Sequence, residues 1–92
     1  MNQEQLSSIL DQLSAKVDKE GWSLLADGRS LSLYVAHGGV QLTVGRIEAV
    51  MIKAGSLRVR TAKGEVYYLA LDDVFAASVD AAPAQARKTG FL

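Results

Sequence analysis

The side chains able to carry chemistry are few in this chain, and their spacing argues for binding rather than for a reaction. There is one histidine, His37, followed by Gly38-Gly39, and there is no cysteine. A hydrolase of the nucleophile type needs a Ser, Thr or Cys with a His in reach. His37 falls in a turn, where its plain reading is a polar loop residue; the alternative is a contact to a small ligand, which would make the chain a sensor or an enzyme. With one His and no Cys, a transition-metal site inside one subunit would have to rest on carboxylates, a poor donor set. No metal and no cofactor is expected. Asp72-Asp73 is an adjacent pair, with Glu48 and Glu65 elsewhere. Adjacent carboxylates on a strand end point in different directions, so joint acid and base work is not implied and capping of a short helix or turn is the better reading. Gly38-Gly39-Val40-Gln41-Leu42 lacks the Lys-Ser/Thr and the helix start of a phosphate cradle. The expectation is a protein that is not an enzyme.

Binding chemistry is better represented. Arg58 and Arg60 stand two apart on one expected strand and therefore share a face, with Lys53 and Lys63 at its flanks and Arg46 opening the strand before it. Tyr67 on the next strand is placed to face the same side. Cations beside an aromatic ring suit a single-stranded nucleic acid, whose backbone they track and whose bases they stack. The plain alternative is a solvated outer face on which Arg58 and Arg60 pair with Glu48 or Glu65 across strands.

A second candidate surface is apolar. Val50 and Ile52 on one face of the fourth strand, and Leu69 and Leu71 on the outer side of the sixth, exceed what one thin barrel buries. Either the N-terminal helix covers them, or they form a subunit interface. The C-terminal Arg87-Lys88-Thr89-Gly90-Phe91-Leu92 adds two cations and an apolar tip, Phe91 and Leu92, that a partner groove could take as a short peptide.

These residues need elements to position them. Residues Gln3 to Glu20 carry Leu6, Ile9, Leu10, Leu13 and Val17 at helical spacing, which predicts an amphipathic helix over 3–20 closed by Gly21, with Lys16 and Lys19 complementing its dipole. From Trp22 the period drops to two. Trp22 to Ala26 is a first strand turned into a hairpin by Asp27-Gly28. Leu31 to Val35 and Val40 to Val44 follow around Gly38-Gly39, and Gly45 permits a bend into a fourth strand, Arg46 to Lys53. That strand is expected to show Ile47, Ala49 and Met51 on one face and Val50 and Ile52 on the other. Ala54-Gly55 leads into Leu57 to Thr61, and Lys63-Gly64 makes a tight hairpin into Glu65 to Leu71. A turn at Asp72 to Val74 then precedes a short strand or helix. Residues 1–79 form one globular domain, with sheet over 22–79, and 80–92 read as a flexible tail.

Composition sets the outer bounds. The 92 residues are 49% hydrophobic, enough for one small core without cross-links. Ten Lys and Arg balance ten Asp and Glu, so no global field draws in nucleic acid or an anionic membrane. The polar start Met1-Asn2-Gln3-Glu4-Gln5 does not resemble a signal peptide, and no apolar run is long enough to span a membrane. Absence of cysteine fits a reducing cytoplasm.

The order of helix, bent meander, Gly-turn hairpin and Tyr68-Leu69-Ala70-Leu71-Asp72-Asp73-Val74 before a short last element resembles an Sm-like or SH3-like small barrel, in which a one-turn helix separates the last two strands. The resemblance covers the last half of the chain and is one of pattern. The Asp-x-Met-Asn-type signature of RNA-binding Sm proteins is absent, so no uridine-binding residue is carried over. The expected class is α+β: an N-terminal amphipathic helix on a strongly bent antiparallel sheet of five to six strands. The expected role is a protein-binding or adaptor module in the cytoplasm, working as a homo-oligomer. The alternative is a nucleic-acid-binding barrel using Arg46, Lys53, Arg58, Arg60, Lys63 and Tyr67.

Overall fold

A computed structural model describes residues 1–79, so the tail and its tip at Phe91 and Leu92 lie outside the described residues. The class is α+β: one helix, α1 (Gln3–Gln12), and an antiparallel sheet of seven strands. The strands are β1 (Lys16–Val17), β2 (Ser23–Leu24), β3 (Leu31–His37), β4 (Val40–Lys53), β5 (Ser56–Thr61), β6 (Val66–Ala70) and β7 (Val74–Val79), with a 3₁₀ turn, Leu71–Asp73, between the last two.

The helix is shorter than its apolar spacing predicts. It starts in a reciprocal cap, Asn2 Oδ1 accepting from the Gln5 N–H and Gln5 Oε1 from the Asn2 N–H at 2.8 and 2.9 Å. It ends at Leu13, because Ser14 turns left-handed at φ 57°. The Ala15 N–H then bonds the Leu10 carbonyl and the Ser14 N–H that of Asp11, which closes the last turn. Lys16 and Val17 therefore leave the helix and pair with Ser23 and Leu24. Asp18 holds that hairpin: its Oδ1 accepts from the Glu20 and Trp22 N–H groups at 2.9 and 3.0 Å. Gly21 thus serves a β-turn rather than a helix end, and Val17, expected on the buried helical stripe, is exposed.

The expected third and fourth strands are one strand, β4, bent at Gly45-Arg46. Its first half pairs with β3 and its second half with β5, and Ile47 is the residue shared, facing Leu31 on one edge and Thr61 on the other. β2 pairs further along the β3 side, at Ala49 and Val50. Asp27-Gly28 does form a turn, with the Arg29 N–H on the Ala26 carbonyl at 3.0 Å, but it makes no hairpin. β2 and β3 instead lie one after the other along the same edge of β4. β7 completes the β3 side and β6 the β5 side. The sheet does not close into a barrel, since β6 and β7 are not paired with each other.

A register shift between Ile47 and Ala49 changes which residues face inward. Ile47 moves to the face of Val50 and Ile52, opposite Thr61, Val59 and Leu57, while Ala49 and Met51 stand opposite Arg60 and Arg58 on the outer face. The core then forms between the inner faces of both halves and the helical stripe of Leu6, Leu10 and Leu13. Leu6, Leu13, Leu31, Leu33, Ile47, Val50, Leu57, Val59 and Val74 are fully buried. Each such side chain contributes about 1.5–3 kcal/mol by leaving water. The Met1 ammonium donates to the Val74 carbonyl at 2.6 Å, tying the helix start to β7.

Replacing Ser14 by Gly removes a Cβ from a left-handed position and is expected to stabilise the fold by about 0.5–1 kcal/mol. Leu13→Ala, one residue earlier, opens the core and is expected to cost roughly 2–5 kcal/mol. Urea denaturation of the two variants, with unchanged slope, checks both values and their opposite signs.

Candidate functional site

The outer face of β2, β4, β5 and β6 collects cations and aromatic rings. Along β5, Leu57, Val59 and Thr61 point into the core, so Arg58 and Arg60 point out. The Arg58 guanidinium lies over the Tyr68 ring, 5.2 Å from its centroid, and that of Arg60 lies over Trp22 at 5.1 Å. The register accounts for both. Arg58 is directly opposite Tyr68 on β6. On its other side Arg60 is opposite Ala49, a small residue with no exposed surface, over which the long side chain reaches toward Trp22 at the start of β2. Lys53, opposite Ser56, closes the end of this face.

The aromatic partner of Arg58 is Tyr68, whereas the sequence points to Tyr67. The difference comes from the hairpin. A two-residue Lys63-Gly64 loop would bring Tyr67 opposite Arg60. The observed loop has three residues, Ala62, Lys63 and Gly64: Thr61 and Glu65 pair through the Thr61 N–H and the Glu65 carbonyl at 2.9 Å, and Gly64 takes φ 87°. A shift of one residue exchanges the two faces of a strand. Val66, Tyr68 and Ala70 accordingly face out, while Tyr67, Leu69 and Leu71 face in. Gly64 next to a β-run was the available signal, since a third loop residue in the left-handed region is the usual alternative to a two-residue turn.

The six basic-strip residues therefore divide into two groups. Lys53, Arg58 and Arg60 share the outer face. Arg46, Lys63 and Tyr67 surround a cleft of about 430 Å³ at the bend of β4, together with Thr43, Gly45, Thr61 and Glu65. The expected pairing of Arg58 and Arg60 with Glu48 or Glu65 does not occur. Glu65 instead accepts from the Tyr67 hydroxyl at 3.4 Å.

The apolar candidates lie inside. Val50 and Leu71 are core residues, and Ile52 and Leu69 pack against that core, so none of the four forms a free patch on this chain. The exposed apolar surface is elsewhere: Tyr68 (70% exposed) and Val66 (42%) on β6, Phe75 (57%) and Val79 on β7, with Val40 and Leu42 at the β3–β4 hairpin. Tyr34 stands beside Phe75, ring centroids 6.4 Å apart, and its hydroxyl meets Ser78 Oγ at 3.1 Å.

His37 is exposed at the end of β3, and its Nδ1 lies 3.1 Å from Asp73 Oδ1 in the 3₁₀ turn. Asp73 thus ties the turn to the β3–β4 hairpin instead of capping it; the residue before the turn, Ala70, supplies no side-chain cap. Among the described residues no three His, Asp or Glu side chains gather as a metal site would require. No described helix is long and apolar enough to cross a membrane.

Trp22 is the one tryptophan of the chain, so its fluorescence reports on the surroundings of that ring, which include the Arg60 guanidinium. Arg60→Ala is expected to shift its emission to longer wavelength and raise its acrylamide quenching, with Arg58→Ala leaving both unchanged. No protein-family model matches the chain, and no curated protein or solved structure is significantly similar to it.

Proposed function

We propose that this chain is a non-enzymatic protein-binding module that associates through the free edges of its sheet, with a second copy of itself as the first partner. The observation that carries the reading is the chemistry of β6 and β7. Each is paired on one side only, and neither Val66-Tyr67-Tyr68-Leu69-Ala70 nor Val74-Phe75-Ala76-Ala77-Ser78-Val79 contains a charge or a proline. Natural sheets blunt exposed edges with Lys, Pro or inward charges, and an edge without them is a template for another strand. Side chains that flank such a junction, Tyr68 and Val66 on one edge and Phe75 and Val79 on the other, add apolar area to the backbone hydrogen bonds. A formal net charge of zero sets no repulsion between copies. A role as a cytoplasmic adaptor extends this reading, supported by a chain without cysteine.

Sedimentation velocity over a range of concentrations tests it. The expected result is a defined oligomer that reverts to monomer in Tyr68→Lys and in Phe75→Lys, with an unchanged far-ultraviolet spectrum. A wild-type protein that stays monomeric at high concentration and retains no protein in affinity capture would overturn the proposal.

A second reading is favoured by the two stacked pairs on the outer face. A guanidinium resting on an aromatic ring keeps its N–H groups at the rim for phosphate, and the exposed Tyr68 is available to a base. Single-stranded nucleic acid is the ligand this arrangement would suit. Binding should weaken steeply with salt, and Arg58→Ala with Arg60→Ala should lower the slope of log K against log salt by roughly 1.4, for two phosphate contacts on a single strand. No binding to single strands at low salt would remove this reading and leave the first intact.

A further inference from the structure

We propose that the cleft at the bend of β4 binds a phosphomonoester of nucleotide size, its phosphate held between Arg46 and Lys63. The backbone at the bend directs attention there. Arg46 adopts φ 55°, in the left-handed region that costs an L side chain energy, while Gly45 beside it does not use its freedom to do so. Backbone preference alone would put the glycine at 46. The backbone therefore gives no reason for Arg46, and its side chain, on the wall of the cleft, does.

The same bend brings a second cation alongside. The Ala62 N–H donates to the Arg46 carbonyl at 2.9 Å, which fastens the strained residue to the hairpin loop carrying Lys63. Among the described residues neither cation has an ion-pair partner, although Glu65 lines the same cleft. Two unpaired cations lining one cleft offer a seat for a doubly charged oxyanion. Beyond them the lining changes. Tyr67 offers a ring and a hydroxyl, Glu65 a carboxylate able to accept from a sugar hydroxyl or a base N–H, and Thr43 a further hydroxyl. A volume of about 430 Å³ lies in the range of small-molecule sites and is far larger than phosphate alone requires. The site lies away from the Arg58 and Arg60 face and from β7, and shares only Tyr67 with β6; its test reads small-molecule binding and so is distinguishable from the proposed association.

Isothermal titration of the full chain with AMP, UMP, ribose 5-phosphate and inorganic phosphate decides the matter. Both nucleotides are expected to bind, more weakly as salt rises, with inorganic phosphate at least tenfold weaker than either. Arg46→Gly relieves the left-handed strain, so Tm is expected to hold or rise while nucleotide affinity falls about tenfold or more. Lys63→Ala, in an exposed loop, should show a similar loss, and Arg58→Ala none. Absence of heat with all four probes at millimolar concentration, or nucleotide affinity that survives Arg46→Gly or Lys63→Ala, overturns the proposal. Inorganic phosphate binding as tightly as the nucleotides overturns it too, since Tyr67 and Glu65 would then contribute nothing.

Discussion

The fold depends on one strand serving two sheets' worth of pairing. β4 gives its first half to β3 and its second to β5, and Ile47 makes the exchange by pairing with both. A strand of 14 residues cannot do this straight, because the halves must turn their apolar faces toward a common interior. The bend at Gly45-Arg46 supplies the turn, and the register shift after Ile47 supplies the phase. Without that extra residue, Ile47 and Val50 would point to opposite faces, and one of two fully buried side chains would be left in water.

The bend has consequences on both surfaces. On the inner side it places Arg46 against the hairpin that carries Lys63 and opens the cleft between them. On the outer side the shifted phase turns Ala49 and Met51 toward the Arg58 and Arg60 face, and Ala49 lies fully covered beside Arg60, whose guanidinium reaches Trp22. The charged and aromatic groups are thus distributed by the backbone event that builds the core. A substitution that straightened β4 would lose the core, the cleft and the stacked face together.

Much of this architecture was legible in the sequence, and the parts that were not have a common cause. Two-residue periodicity located β3 to β6, and the Gly-Gly and Ala-Gly turns located their hairpins. The switch from helix to sheet was misplaced by several residues because Val17 continues the helical spacing by coincidence. Ser14, which ends the helix, carries no mark of doing so, as the left-handed region is unusual for Ser. The faces of β4 and β6 were inverted in part for the same kind of reason. Periodicity reports that a strand alternates, but one inserted residue, at the bulge in β4 or in the loop before β6, reverses the sense of the alternation. This is why Tyr67, Leu69 and Leu71 were read as outward-facing and Tyr68 was overlooked. The strip of five cations and Tyr67 does not form a single surface, because register and bend are long-range properties.

The open sheet follows from the 3₁₀ turn. β6 and β7 are consecutive in the chain and would be natural partners in a closing hairpin, yet Leu71–Asp73 carries the chain away from β6 to the far edge of β3. Three contacts fix that path: Leu71 is buried, its N–H donates to the Gly55 carbonyl at 3.0 Å, and Asp73 meets His37. Closure would have removed both edges. The turn keeps them, and neither strand carries a charged residue, each standing beside exposed aromatic or aliphatic side chains. The proposed strand addition by another chain would occupy the two edges that the buried Leu71 and its turn keep apart.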